Sequence, residues 1–253
     1  MKQLNEKVAI VTGAGQGIGK GIALVLARRG VKVVCTGRRL EPIQQTVAEI
    51  EAEGGVAFAM TCDSADRARV EEVVEKTVEL YGAIDVVVNN GQAIVPSAPV
   101  EETSYENMLK AWESGTIGSL NYMQAAFPYM KAQNEGRIIN FASATGMFGI
   151  AGQLAYGSNK EALRGLTKIA AKEWGQYGIC VNVVLPGAES PAAKAWAEKF
   201  PEEYKKQVML NPMHRFGDPE NDIAPVIAFL AGPDSCYFSG QSLLLDGANS
   251  IMP

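Results

Sequence analysis

A single histidine, His214, stands in a chain of 253 residues. That scarcity leaves no material for a His-based metal site or a serine–histidine pair, so no metal is expected. Cysteine is nearly as sparse. Cys35, Cys62, Cys180 and Cys236 are scattered singly, mostly inside apolar runs such as VVCTG and ICVNVV. Reduced, buried thiols in a cytoplasmic protein are the simplest account of that pattern. Basic charge is in deficit, with 23 Lys and Arg against 28 Asp and Glu and a formal net charge of −5. A nucleic-acid partner would require the opposite balance. No apolar run approaches the roughly 20 residues of a membrane span, and the opening MKQLNEKVAIV lacks the basic and long apolar segments of a signal peptide. Neither nucleic acid nor membrane is therefore expected as a partner.

What the chain does have is 47% hydrophobic residues and enough length to bury a full core. Short β-branched runs alternate with longer amphipathic stretches. The strand candidates are 8–13, 32–37, 56–62, 84–90, 136–143, 180–187 and 241–247. Each is almost continuously apolar, as strands covered on both faces should be. Helix-like segments fill the intervals at 17–29, 41–53, 66–81, 104–132, 155–177 and 219–231. This alternation predicts an α/β fold, a single-domain doubly wound parallel sheet of Rossmann type spanning 1–253, with about seven strands and helices on both faces. Residues 188–218 interrupt the rhythm with charged, helix-prone sequence held between prolines. An insertion near the carboxyl ends of the strands suits a substrate-selecting flap; the plain alternative is a surface helical excursion.

The first strand runs into TGAGQGIGKGIA. Gly13, Gly17 and Gly19 stand between strand and helix, where glycine permits a tight turn and close approach of backbone N–H groups to a diphosphate. Gly15, Gln16 and Ile18 complete that loop. About 20 residues on, where an NAD site usually offers an acidic residue for the ribose 2′-hydroxyl, the chain has Gly37 followed by Arg38 and Arg39. Guanidinium groups in place of a carboxylate suit a 2′-phosphate, so NADP(H) is the expected cofactor unless the pair is merely solvated. Asp63 and Ser64 close the third strand, where a side chain could meet the adenine edge. Asn90 and Gly91 close the fourth, where glycine lets the backbone approach the adenosine half.

At the other end of the site, Ser143 ends the strand IINFAS and Tyr156 opens the next helix, four residues before Lys160 in LAYGSNK. Helical spacing stacks the tyrosine and lysine on one face. A nearby cation would stabilise the phenolate and make the tyrosine a proton donor or acceptor near neutrality. A serine hydroxyl could hold a carbonyl oxygen while the tyrosine delivers a proton to it. Lys160 could also hydrogen-bond a nicotinamide ribose, the cofactor supplying the hydride. Taken alone, this spacing arises often by chance and also describes a surface tyrosine and a solvated lysine.

The ordered set TGAGQGIG, NNG, Ser143, Tyr156-x3-Lys160 and the PG of Pro186 and Gly187 resembles the short-chain dehydrogenase/reductase family over nearly the whole chain, through RFGDPENDIA and FSGQSLLLDG. The resemblance implies a hydroxyl-binding Ser143, an acid/base Tyr156, a cofactor-tethering Lys160, a diphosphate loop at Gly13, Gly17 and Gly19, and an Asn90 that braces the central strand. It also implies a homodimer or homotetramer through the long helices near 104–132 and 155–177. Three departures stand out. The usual N-N-A-G reads Asn89-Asn90-Gly91-Gln92, which adds an amide near the site. The family's asparagine in the long helix, whose carbonyl holds a proton-relay water, aligns with Gly115, where Ser114 or water would have to substitute. The usual threonine after Pro186-Gly187 is matched only by Ser190, shifted by one position.

NNGQA, INFASATGMFG, Gly115, EWGQYGICVNVV and PMHRFGDP narrow the resemblance to bacterial hydroxysteroid dehydrogenases acting on the 12α-hydroxyl of bile acids. A rigid, bulky substrate needs a wide apolar cleft. Gln92, Phe148, Leu154, Ala188 and Trp196, with Phe200 and Met209, are the candidates to line it, ordinary core packing being the alternative for each apolar one. The expectation is an NADP(H)-dependent enzyme interconverting a secondary alcohol and a ketone. Reduction of another ketone, including 3-oxoacyl thioesters, and a non-catalytic NADP(H) sensor remain open. For the thioester reading, the flap's lysines alternate with Glu198, Glu202 and Glu203, more like a solvated face than a dock for an acidic carrier.

Overall fold

Seven runs rich in valine, isoleucine and leucine assemble into one parallel sheet with the strand order β3-β2-β1-β4-β5-β6-β7. The strands of this computed structural model, which describes residues 4–189 and 191–251, are β1 (Val8–Thr12), β2 (Lys32–Gly37), β3 (Ala57–Thr61), β4 (Val86–Asn89), β5 (Gly136–Phe141), β6 (Ile179–Pro186) and β7 (Ser242–Leu245). Ile10 of β1 is flanked by Val34 of β2 and Val87 of β4, so β1 is central. The edge strands β3 and β7 are only partly buried, whereas β1, β4 and β5 are buried throughout.

Alternate strand residues face opposite sides of a sheet, and both sides are covered. Ala9, Val11 and Val33 join Ile22 and Leu26 of α1 (Gly17–Arg28) and Ile227 and Leu230 of α10 (Ala224–Ala231) on one side. Ile10, Val34, Val87 and Ile138 join Val70 and Val73 of α3 (Arg67–Tyr81) and Tyr122, Met123 and Met130 of α5 (Gly118–Gln133) on the other. This double covering is why the strands read as apolar runs instead of alternating patterns. The remaining helices are α2 (Leu40–Ala52), α4 (Tyr105–Trp112), α6 (Ala144–Phe148), α7 (Leu154–Trp174), α8 (Pro191–Lys199) and α9 (Pro201–Leu210).

Three local features depart from expectation. The helix expected over 104–132 is divided: α4 starts at the cap Ser104, whose Oγ accepts from the Asn107 N–H, and a five-residue π-turn, Glu113–Ile117, separates it from α5. A second π-turn, Pro219–Ile223, precedes α10 and is capped by Asp218, which accepts from the N–H groups of Glu220 and Asn221. Cys35, Cys62 and Cys180 are buried free thiols as expected, but Cys236 is exposed, because it follows the short turn Pro233–Ser235 at the surface. Among the described residues no helix is long and apolar enough to cross a membrane.

Candidate active site

In this strand order the chain leaves the carboxyl ends of β1 and β4 in opposite directions, which opens a crevice between them. Gly13 follows β1 at φ +67, a left-handed conformation, and a Cβ there would lie 2.9 Å from Asn90 Nδ2. A Cβ on Gly19 would lie 2.3 Å from the carbonyl oxygen of Gly13. Both contacts are too short for any side chain, so glycine is required sterically as well as for the loop's bend. Asn90 and Gly91 donate their backbone N–H groups to Thr12 Oγ1 at 3.0 and 2.8 Å, and Asn90 Nδ2 donates to the Thr12 carbonyl at 3.0 Å. The two loops are thereby bolted together. Asn90 makes the bracing contact expected of it; Thr12, the other half of the bolt, was not singled out from the sequence.

A cleft of about 380 Å³ runs from Gly13, Gly15 and Gln16 past Arg38, Arg39, Asp63 and Ser64 to Gly91, Gln92 and Ser114. The first N–H groups of α1 are open to a ligand, since Gln16 provides no side-chain cap and the first turn, which holds Gly17, Ile18 and Gly19, has no acidic residue. Arg39 donates to Gln16 Oε1 at 3.3 Å. Arg38 is exposed and, among the described residues, its guanidinium has no partner. Asp63 Oδ1 accepts from the Ala65 N–H at 3.1 Å, so its carboxylate is partly engaged by its own turn. Both amide atoms of Gln92 are buried in the wall of this cleft without a hydrogen-bond partner among the described residues. Free helix N–H groups, an unpaired guanidinium and an unsatisfied amide around one elongated cavity fit a nicotinamide dinucleotide. Pro186 ends β6; Gly187 packs so closely on Asp246 that a Cβ would come within 2.7 Å of Asp246 Cβ. Ser190 lies outside the described residues.

Ser143 caps α6, its Oγ accepting the Thr145 N–H at 3.2 Å. Its hydroxyl faces that of Tyr156, which sits in the first turn of α7 against Val95 and Ala111. One turn on, Lys160 Nζ lies 5.7 Å from the Tyr156 ring and donates to the Phe141 carbonyl at 2.6 Å. The three expected residues therefore meet at the end of β5. Their electrostatics differ from expectation. Burial raises the Tyr156 phenol above its ordinary value, opposed only by the Ser143 hydrogen bond, while burial pushes Lys160 down to about 7. A lysine whose own charge is penalised this heavily cannot depress the phenol as a fully charged one would. This arrangement can hold an oxygen at Ser143 and pass a proton at Tyr156.

Gly115 lies buried in the first π-turn, and its missing side chain is replaced by neither Ser114 nor a gap. A Cβ there would lie 2.3 Å from Nδ2 and 2.5 Å from Oδ1 of Asn159, the residue before Lys160. Ser114 faces elsewhere, donating to the Lys110 carbonyl at 2.6 Å and accepting the Ala93 N–H at 3.1 Å. Asn159 was missed in the sequence although it stands inside YGSNK; the available signal was an asparagine there together with a glycine at 115.

Of the expected substrate residues, Gln92 lines this cleft. Phe148, the last residue of α6, and Leu154, the first of α7, are exposed, 49% and 37% accessible. Ala188 bridges to Gly217, and Trp196 packs edge-on against Tyr204 at 5.6 Å, within the insertion.

The chain belongs to the short-chain dehydrogenase/reductase family, oxidoreductases that use a nicotinamide cofactor on a small-molecule substrate. The matching family model, described as enoyl-(acyl carrier protein) reductase, covers residues 13–248. The chain is 39% identical over 254 residues to a 12α-hydroxysteroid dehydrogenase of Clostridium sp., covering 98% of each chain. It is 37% identical to the 3-oxoacyl-[acyl-carrier-protein] reductase FabG of Thermotoga maritima, over 97% of this chain and 98% of that protein. Among solved structures, an actinorhodin polyketide ketoreductase with NADPH superposes with a TM-score of 0.89 at 30% identity, over 96% of this chain and 97% of that one.

Proposed function

We propose that this protein is an NADP(H)-dependent oxidoreductase that interconverts a secondary alcohol and a ketone on a hydroxysteroid, such as a bile acid at its 12α-hydroxyl. The observation that carries the reading is the Ser143–Tyr156–Lys160 cluster beside a cleft whose mouth holds an unpaired Arg38. Ser143 holds the substrate oxygen. Tyr156, whose proton burial helps to retain, donates it to that oxygen when a ketone is reduced; in the reverse direction the phenolate, formed once that proton has been given up, takes one from the hydroxyl. Lys160, brought to about 7 by burial, stands one turn on with Nζ 5.7 Å from the Tyr156 ring and can gain or release a proton near neutrality. The bound nicotinamide supplies or accepts the hydride. Arg38 and Arg39 receive the 2′-phosphate that separates NADP(H) from NAD(H), and Pro186 and Gly187 border the nicotinamide half.

The steroid assignment is supported by the 39% identical relative and by exposed apolar side chains at Phe148, Ile150 and Leu154, between Ser143 and Tyr156 in the chain, and at Phe200 and Met209 of the 188–218 flap. A second reading, reduction of 3-oxoacyl thioesters or another ketone, is supported by the FabG relative. Against it stands the mixed charge of the flap, where Lys194 pairs with Glu189 at 3.3 Å instead of presenting a basic face. Exposed Tyr105 and Leu109 on α4, Ile117 at the end of the π-turn and Ile169 on α7 support self-association as a dimer or tetramer. The deciding experiment is NADP⁺ reduction with a panel of hydroxy-bile acids and simple secondary alcohols, with NAD⁺ alongside. Turnover confined to 12α-hydroxylated steroids is expected. Turnover of small alcohols alone would discard the steroid, and NADPH binding without any turnover would point to a sensor.

A further inference from the structure

Asn159 is buried completely, and it is held in one orientation. Its Oδ1 accepts the backbone N–H of Thr116 at 2.8 Å, and the Thr116 hydroxyl shares its one proton between Oδ1 at 2.7 Å and the Asn159 backbone carbonyl at 3.1 Å. A backbone N–H can only donate, so the atom it faces is oxygen and the amide cannot be turned around. The nitrogen is thereby aimed at the space over Gly115, and among the described residues it has no hydrogen-bond partner. Orphaned buried donors are costly and rare. The π-turn that Asn159 grips is a junction. Its Thr116 is tied to α7 one residue before Lys160, while its Ser114 is tied to Ala93, next to Gln92 in the wall of the cleft. π-Turns inside helices tend to occur at functional sites, and this one joins the cofactor loop to the helix that carries Tyr156 and Lys160.

The geometry points to Asn159 as a positioning residue that does, from helix α7, what a side chain at position 115 would do from the π-turn: it fills the junction, pins the turn and holds Tyr156 and Lys160 in register with the cleft. The asparagine and the glycine form an exchanged pair, since the two side chains cannot occupy the space together. An asparagine introduced at 115 alone would collide with Asn159; removal of Asn159 alone would leave a hole that water enters beside the reacting pair. This inference rests on the reading of Tyr156 and Lys160 as the proton-transferring pair.

The test is a double-mutant cycle on Gly115→Asn, Asn159→Ala and the combined variant. Two readouts need no turnover: the thermal midpoint, and the pH at which Tyr156 ionises, taken as phenolate absorbance relative to the same protein carrying Tyr156→Phe. Asn159→Ala is expected to lower that ionisation by about one pH unit, because water admitted at the junction relieves the burial that raises it. Gly115→Asn alone should lower the thermal midpoint more than Asn159→Ala does. The combined variant should return both readouts most of the way to the wild-type values. A purely structural role would move the thermal midpoint and leave the Tyr156 ionisation in place, which would overturn the inference. So would losses that simply add in the combined variant. If Asn159→Ala does not fold, Asn159→Ser keeps an oxygen for Thr116 and is read in the same cycle. Because neither readout depends on substrate, failure here is separate from failure of the proposed reaction, which the NADP⁺ panel tests.

Discussion

Lys160 Nζ donates to the carbonyl oxygen of Phe141 at 2.6 Å, joining the second turn of α7 to the last residue of β5. The bond satisfies one of the three donors of an ammonium group while burial opposes its charge, bringing Lys160 to about 7. A lysine that is neutral in the folded protein and charged in the unfolded chain favours unfolding until the pH is high enough to discharge both.

The sign of the pH dependence follows. Between about pH 7 and the ordinary lysine value near 10.4 the unfolded chain binds one more proton here than the folded one, so stability rises with pH across that window. The limiting slope is about 1.4 kcal/mol per pH unit. Burial raises the thiols of Cys35, Cys62 and Cys180, which acts with the opposite sign above about pH 8.5, where thiols ionise in the unfolded chain. Urea unfolding of wild type and Lys160→Met over pH 7–8.5 separates the contributions. The difference between the two curves should widen with pH in favour of the wild type, and parallel curves would show that Lys160 is charged in the folded state.

Tyr156 sits where its proton can reach an oxygen held by Ser143. Tyr156→Phe keeps the ring against Val95 and Ala111 and removes only the hydroxyl. Turnover is expected to fall by about 10²–10⁴-fold, the usual contribution of a positioned acid or base, with NADPH binding by nicotinamide fluorescence preserved. Turnover close to that of the wild type would remove Tyr156 from the chemistry.

Much of this was legible in the chain itself, for physical reasons that can be named. Val8–Thr12 and Val86–Asn89 are β-branched, doubly covered strands whose signal is local. The glycines at 13 and 19 announce a loop whose steric demands the structure then bears out. What escaped depends on contacts across the fold. The π-turn exists in the company of Asn159, 43 residues away, and an amphipathic pattern over 104–132 carries no trace of it. The short helix α6 was absorbed into the run from Ser143 to Tyr156 because five residues are too few to show a period. The reversed electrostatics of Tyr156 and Lys160 follow from burial, which spacing alone does not report.

Arg38 has no partner of its own among the described residues and stands at the mouth of the cleft. Arg38→Ala should therefore leave stability within about 0.5 kcal/mol, as surface substitutions usually do. It should weaken NADPH by about 10- to 100-fold, the worth of a charge-assisted hydrogen bond, while changing NADH little. Paired titrations of the two cofactors by nicotinamide fluorescence decide it. Equal weakening of both would place Arg38 at a group the two cofactors share and remove the 2′-phosphate role.

Gln92 gives a prediction in which stability and binding move in opposite directions. Its Oε1 and Nε2 are both buried without partners, so the folded, ligand-free protein bears the cost of desolvating an amide and gains no hydrogen bond in return. Gln92→Met, nearly equal in volume, removes that cost; the thermal midpoint of the free protein should hold or rise. If the amide serves a ligand in the cleft it lines, the same change should weaken NADPH or substrate by about 10-fold, since a site built around a hydrogen bond loses it outright. Thermal unfolding with and without saturating NADPH reads both quantities in one experiment, because ligand stabilisation grows with affinity. A lower midpoint without ligand would mean that Gln92 is bonded within the protein after all, and an unchanged NADPH-induced rise would move its role from cofactor to substrate.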